Sequence, residues 1–167
     1  MKKNIVLIGM PSSGKTTTGK VIADIKEMNF VDTDRLIEKK SGISCRDIVR
    51  TKGLSAFLEL QQEAIMELNA DNLVIATGGG AIYSETAMGS LKNDGFVAFL
   101  KLDYEELMNR LEPGRRFARN EGQSMLDVYK ERMPLYEKYA DIIINCSGKK
   151  PDEIAKEIID ALGGDIK

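Results

Sequence analysis

The chain has 167 residues, with 24 Lys and Arg against 26 Asp and Glu for a formal charge of −2. That balance excludes a broad electrostatic grip on a nucleic-acid backbone. The absence of histidine excludes Ser-His-Asp and Cys-His nucleophile pairs, histidine metal sites and imidazole proton shuttles. Two cysteines, Cys45 and Cys146, lack CxxC spacing and read as reduced thiols of a cytoplasmic protein. No apolar run is long enough for a signal or a membrane span.

Along the chain, short apolar runs alternate with longer amphipathic segments. Residues 4–9 (NIVLIG) read as a buried strand and 15–26 as a helix. A short apolar strand follows at 29–33, then helices at 34–40, 44–52 and 54–68. Residues 73–77 (LVIAT) and 96–102 (FVAFLKL) read as further buried strands. The rest reads as helices at 104–111 and 123–139, a strand at 142–145, and a closing helix at 152–162. Strands apolar throughout belong between two helical layers. The alternation predicts an α/β fold, a five-stranded parallel sheet flanked by helices, in one domain over residues 1–167. Residues 112–123 (EPGRRFARNEGQ) break the pattern with three arginines and two glycines. They read either as a solvated loop or as a lid that brings arginine to an anion.

Residues 9–16 read GMPSSGKT, the G-x-x-x-x-G-K-[ST] phosphate loop, leaving a strand to enter a helix. Its glycines turn backbone N–H groups inward onto phosphate oxygens. The helix N-terminus adds its dipole, Lys15 reaches the β- and γ-phosphates, and Thr16 offers a hydroxyl to Mg²⁺. Gly9, Ser12, Ser13, Gly14, Lys15, Thr16 and Thr17 form the expected nucleotide-binding set. A GTPase would add N-K-x-D and D-x-x-G elements, which are missing. A nucleotide-hydrolysing motor would end a strand in an acidic pair. Here residues 73–77 run instead into Gly78, Gly79 and Gly80, which let a small acceptor sit against backbone amides.

Asp32 and Asp34 stand one residue apart where a strand meets a helix. At strand spacing they share a face, at the sheet end where ligands bind. Asp32 is a candidate Mg²⁺ ligand and Asp34 a candidate base for a substrate hydroxyl. The plainer alternative makes Asp34 the N-cap of the next helix.

With GMPSSGKT, FVDTD, TGGG, the RMPLY run from Arg132 and the late Pro151, the chain resembles the shikimate kinase family, with its nucleoside-monophosphate-kinase-like P-loop fold. The resemblance implies ATP-dependent phosphorylation of a small hydroxylated acid, shikimate to shikimate 3-phosphate, in a cytoplasmic monomer. It implies Asp34 as base and Asp32 as a holder of Mg²⁺ through water. Gly79 and Gly80, with Gly78, would face the acceptor, and Arg132 its carboxylate. Adenine would lie between Arg110 and Pro151, and a lid arginine would meet the transferring phosphate. Arg115, Arg116 and Arg119 compete for that task, with Arg116 preferred.

One departure stands out. The family's Phe-Arg-x-x-Glu stretch reads here Phe57-Leu58-Glu59-Leu60-Gln61. A lost arginine–carboxylate contact weakens acceptor binding roughly tenfold. Three outcomes remain open. Arg132 holds the carboxylate alone, an arginine such as Arg50 substitutes, or the acceptor is another polyol or hydroxy acid. A nucleotide-binding module without catalysis is a further alternative, against which the paired Asp32 and Asp34 argue.

Overall fold

The computed structural model describes residues 2–111, 119–163 and 166. In chain order the elements are β1 (Asn4–Ile8), α1 (Lys15–Lys26), β2 (Asn29–Asp32), α2 (Thr33–Ser41), α3 (Cys45–Lys52) and α4 (Leu54–Met66). Then come β3 (Leu73–Ala76), a 3₁₀ turn (Ala81–Tyr83), α5 (Glu85–Asp94), β4 (Gly95–Lys101) and α6 (Tyr104–Arg110). The last are α7 (Met125–Tyr139), β5 (Ile142–Asn145) and α8 (Pro151–Leu162).

The five strands form one parallel sheet in the order β2-β3-β1-β4-β5. Every residue of β1 is buried, as a strand covered on both faces requires. The edge strand β5 leaves Ile143 47% exposed. The main core gathers the sheet's side chains with Ile22 of α1, Leu107 of α6, Val128 and Tyr136 of α7 and Ile158 of α8. A separate small cluster, Ile37, Ile48, Phe57 and Ala64, holds α2, α3 and α4 together.

Register explains where a site can form. Leu7 and Asp32 both pair with Ala76. The C-terminal ends of β1, β2 and β3 are therefore level, and the segments leaving them meet at one end of the sheet, where open α/β sheets bind ligands.

Beyond shifts of one or two residues at element ends, three features differ from the sequence reading. Helix α5 was not anticipated, because Gly89, Ser90, Asn93 and Asp94 are weak helix formers. Burial of Ala87, Met88 and Leu91, with Ser84 Oγ accepting from Ala87 N, holds it in place. Helix α2 begins at Thr33, so Asp34 is not a strand neighbour of Asp32 but lies in the helix's first turn. The expected lid keeps only residues 119–123 among those described; Arg115 and Arg116 lie outside them.

Candidate active site

The phosphate loop leaves β1 through a backbone that favours glycine. Gly9 has φ +150°, and a methyl group on it would stand 2.7 Å from the Leu100 carbonyl oxygen. Gly14, with φ +94°, turns the chain into α1, and Ser12 between them also adopts positive φ, at 67°. Lys15 is 8% exposed and folds back over this loop. Its Nζ donates to the Gly9 and Met10 carbonyls, each at 2.8 Å, and to Ser13 Oγ at 3.5 Å. Ser12 Oγ is buried with no hydrogen-bond partner among the described residues, as in a cradle shaped for phosphate oxygens. Thr17 is on the exposed side of α1's first turn.

Asp32 connects the loop to the acceptor side. Its Oδ1 accepts from the backbone N–H groups of Asp34 and Arg35, at 3.0 and 3.4 Å. Its Oδ2 accepts from Thr16 Oγ1 at 3.0 Å. The N-cap of α2 is therefore Asp32, and the capping alternative considered for Asp34 falls to its neighbour. The Asp32 carboxylate and Thr16 hydroxyl form an all-oxygen donor pair beside the cradle. That chemistry fits Mg²⁺, which binds through one or two protein oxygens and substrate phosphates.

Asp34, relieved of capping, is partly buried. Burial above all, then the charges of Asp32 and Glu38, pushes its carboxyl up to about 6, against the opposing pull of Lys15 and the Gln61 amide. Its Oδ1 meets no hydrogen-bond partner of good geometry among the described residues. A methyl group on Gly78 would come within 2.4 Å of that oxygen and 2.1 Å of Gln61 Nε2. The bare glycine is what admits both groups. Gly78 N donates to Thr33 Oγ1 at 3.0 Å, tying the glycine run to the start of α2. Cys45 Sγ contacts the Asp34 carbonyl oxygen from behind. Burial lifts this thiol well above the usual range, leaving it no thiolate chemistry.

Arg132 lies on the buried stripe of α7 between Val128 and Tyr136 and is 1% exposed. A methyl group on Gly79 would stand 2.8 Å from its Nη1. Its Nε donates to Tyr83 Oη at 3.3 Å, and the guanidinium lies over the Tyr83 ring, 5.4 Å from the centroid. Tyr136 Oη donates to the Gly79 carbonyl at 2.7 Å. Sheet end, glycine run and α7 thus bring the predicted phosphate loop, Asp32, Asp34, Gly78–Gly80 and Arg132 together.

The family model described as shikimate kinase matches residues 11–163. The chain belongs to the shikimate kinase family. A shikimate kinase of Clostridium botulinum is 41% identical over 149 residues, 86% of this chain and 88% of that protein. One of a Sulfurihydrogenibium species is 36% identical over 160 residues, 94% of this chain and 96% of that one. The solved structure of shikimate kinase from Acinetobacter baumannii in complex with shikimate superposes with a TM-score of 0.90. It is 30% identical, covering 99% of this chain and 95% of that chain. Family membership makes the protein an ATP-using small-molecule kinase.

Leu58 lines a cleft with Gln61, Gly80, Tyr83 and Ser84. The adjoining depression carries Leu58, Tyr83, Arg119, Gln123 and Glu131. Arg50, considered as a substitute arginine, is not among the cleft residues; its side chain is 75% exposed and pairs with Asp47 at 3.1 Å. Arg119, the described arginine of the lid segment, lines that depression. Arg110 is bonded to Glu106, which also accepts from Gly148 N. The end of α6 is thereby joined to the loop preceding Pro151, the first residue of α8.

Sequence reasoning did not find Tyr83 or Thr33 as parts of the site, and met Gln61 only as the residue standing where the family has a glutamate. Gln61 carried a usable signal. It occupies the buried stripe of α4 with Phe57, Ala64 and Ile65, where helical spacing calls for an apolar side chain. Tyr83 sits in a single 3₁₀ turn, too short to show periodicity.

Proposed function

We propose that the protein transfers the γ-phosphoryl group of ATP to a ring hydroxyl of shikimate, giving shikimate 3-phosphate and ADP. The observation that carries this reading is that adjacent glycines face opposite chemistry. Gly78 adjoins the Asp34 carboxylate and Gly79 the Arg132 guanidinium. A small molecule with a hydroxyl at one end and a carboxylate at the other matches that pair.

In this reading Asp34 accepts the proton of the hydroxyl as its oxygen bonds to the γ-phosphorus and the bond to the ADP oxygen breaks. Lys15 exchanges its carbonyl contacts for β- and γ-phosphate oxygens. Thr16 and Asp32 would hold Mg²⁺, whose charge offsets that of the phosphates. Arg132 binds the acceptor carboxylate, and Arg110 with Pro151 borders the adenine. Arg116 serves as the lid arginine that meets the transferring group. In this reading the protein works as a monomer in the cytoplasm.

The test supplies ATP, Mg²⁺ and shikimate and follows ADP release together with the phosphorus spectrum of the product. Stoichiometric shikimate 3-phosphate supports the reading. Turnover on another hydroxy acid but not on shikimate would favour a changed acceptor, the alternative that apolar Leu58 in the cleft favours. Removing Arg115, Arg116 and Arg119 together is expected to lower kcat far more than it raises the Kd for ADP. An unchanged kcat would remove the lid from the mechanism.

A further inference from the structure

Gln61 is a buried amide on an otherwise apolar helix stripe, 1% exposed. Neither its Nε2 nor its Oε1 has a hydrogen-bond partner of good geometry among the described residues, and the same holds for Asp34 Oδ1. Buried polar atoms left in this way destabilise a fold unless something uses them.

Position shows what the use is. Nε2, the donor end, stands with Asp34 Oδ1 over Gly78, while Oε1 lies toward Gly80, 3.3 Å from where a methyl group there would sit. Asp32 has both oxygens engaged, by the α2 backbone and by Thr16, and Lys15 is folded onto the Gly9 and Met10 carbonyls. A carboxyl group turns easily about its last bond, so a base without a tether presents its oxygens in many directions.

We propose that Gln61 is a positioning residue for phosphoryl transfer: when the acceptor binds, its amide closes onto Asp34 Oδ1 and so holds Oδ2 toward the acceptor hydroxyl. A neutral amide does this without adding charge to the phosphate site. The inference rests on Asp34 being the base, as in the proposed function.

Gln61→Met keeps the length and removes the donor; Gln61→Leu repeats the test should that variant not fold. With ATP and shikimate, kcat is expected to fall about tenfold to a hundredfold, the effect of a misaligned reacting group. The KM for shikimate and the Kd for ADP should stay within about twofold, and the melting temperature should hold or rise. A crystal structure of the variant should show Asp34 in a changed or split rotamer. A wild-type kcat in the folded variant overturns the proposal. So does a shikimate KM that rises in step with the fall in kcat while Asp34 stays in place, since the amide would then be bound to the acceptor. If the wild-type protein leaves shikimate untouched, the functional reading fails on its own. An unmoved Asp34 in the variant crystal would still overturn this inference, and a displaced one would uphold it.

Discussion

The two halves of the site are built in opposite ways. On the nucleotide side, Lys15, Thr16 and Asp32 hold one another or the backbone at 2.8 to 3.0 Å, where the loop leaving β1 meets the end of β2. On the acceptor side, Asp34 and Gln61 bring three polar atoms together without closing a hydrogen bond of good geometry among the described residues. Their helices rest on the small cluster of Ile37, Ile48, Phe57 and Ala64. A region that handles the same phosphates at every turnover can be prearranged. One that must receive and release a particular acid keeps unspent hydrogen-bonding capacity and a smaller core, which lowers the cost of local opening.

The largest expected effect separates the halves by their kinetics. Asp34→Asn should lower kcat about a hundredfold to ten-thousandfold, the usual range for a lost general base. Its ATP dissociation constant, measured by calorimetry, should hold. Lys15→Ala should lose both turnover and ATP affinity, because its Nζ lies in the phosphate loop itself. Equal losses of ATP binding in the two variants would erase the distinction.

A smaller effect probes the cleft. Leu58→Arg, with Gln61 kept, places a guanidinium where Leu58 Cδ2 now faces Gly80. One added charge-assisted contact should lower the KM for shikimate about tenfold with kcat nearly unchanged, since the contact is remote from the reacting hydroxyl. Initial-rate kinetics decide it, and an unchanged KM would mean that no acceptor carboxylate reaches this wall.

The smallest effect concerns stability. The Asp34 carboxyl is raised to about 6 in the folded chain, mainly by burial. Ionising it therefore works against folding. Stability is fully present below the unfolded carboxyl's pKa and is lost as pH rises through about 6. In nucleotide-free protein with chelator, Asp34→Asn should be more stable than wild type at about pH 8, by about 1–3 kcal/mol. The gap should close near pH 4, where wild-type Asp34 is neutral. Thermal melts across pH test this, and a variant less stable at every pH would deny the burial cost.

The same division governs what could be read in advance. The phosphate loop was legible because its chemistry is local: eight contiguous residues carry the turn, the lysine and the hydroxyl. The sheet was legible because strands buried on both faces are apolar throughout. Asp34's role was harder to see, since two aspartates beside a helix start look alike until hydrogen bonds show which one caps it. Gln61, Tyr83 and Arg132 meet only through α4, the 3₁₀ turn and α7. Arg132 and Gln61 lay in recognisable runs of sequence, and Tyr83 did not. Helix α5 escaped because its stability comes from tertiary burial rather than from its own residues.

The folded-back Lys15 has a consequence for the ligand as well. Its ammonium already holds two backbone oxygens, and Thr16 already holds Asp32. ATP arriving in this loop displaces the present partners of Lys15 and Thr16, so its affinity is set against contacts already made. Such an exchange offsets part of the enthalpy gained from the new phosphate contacts.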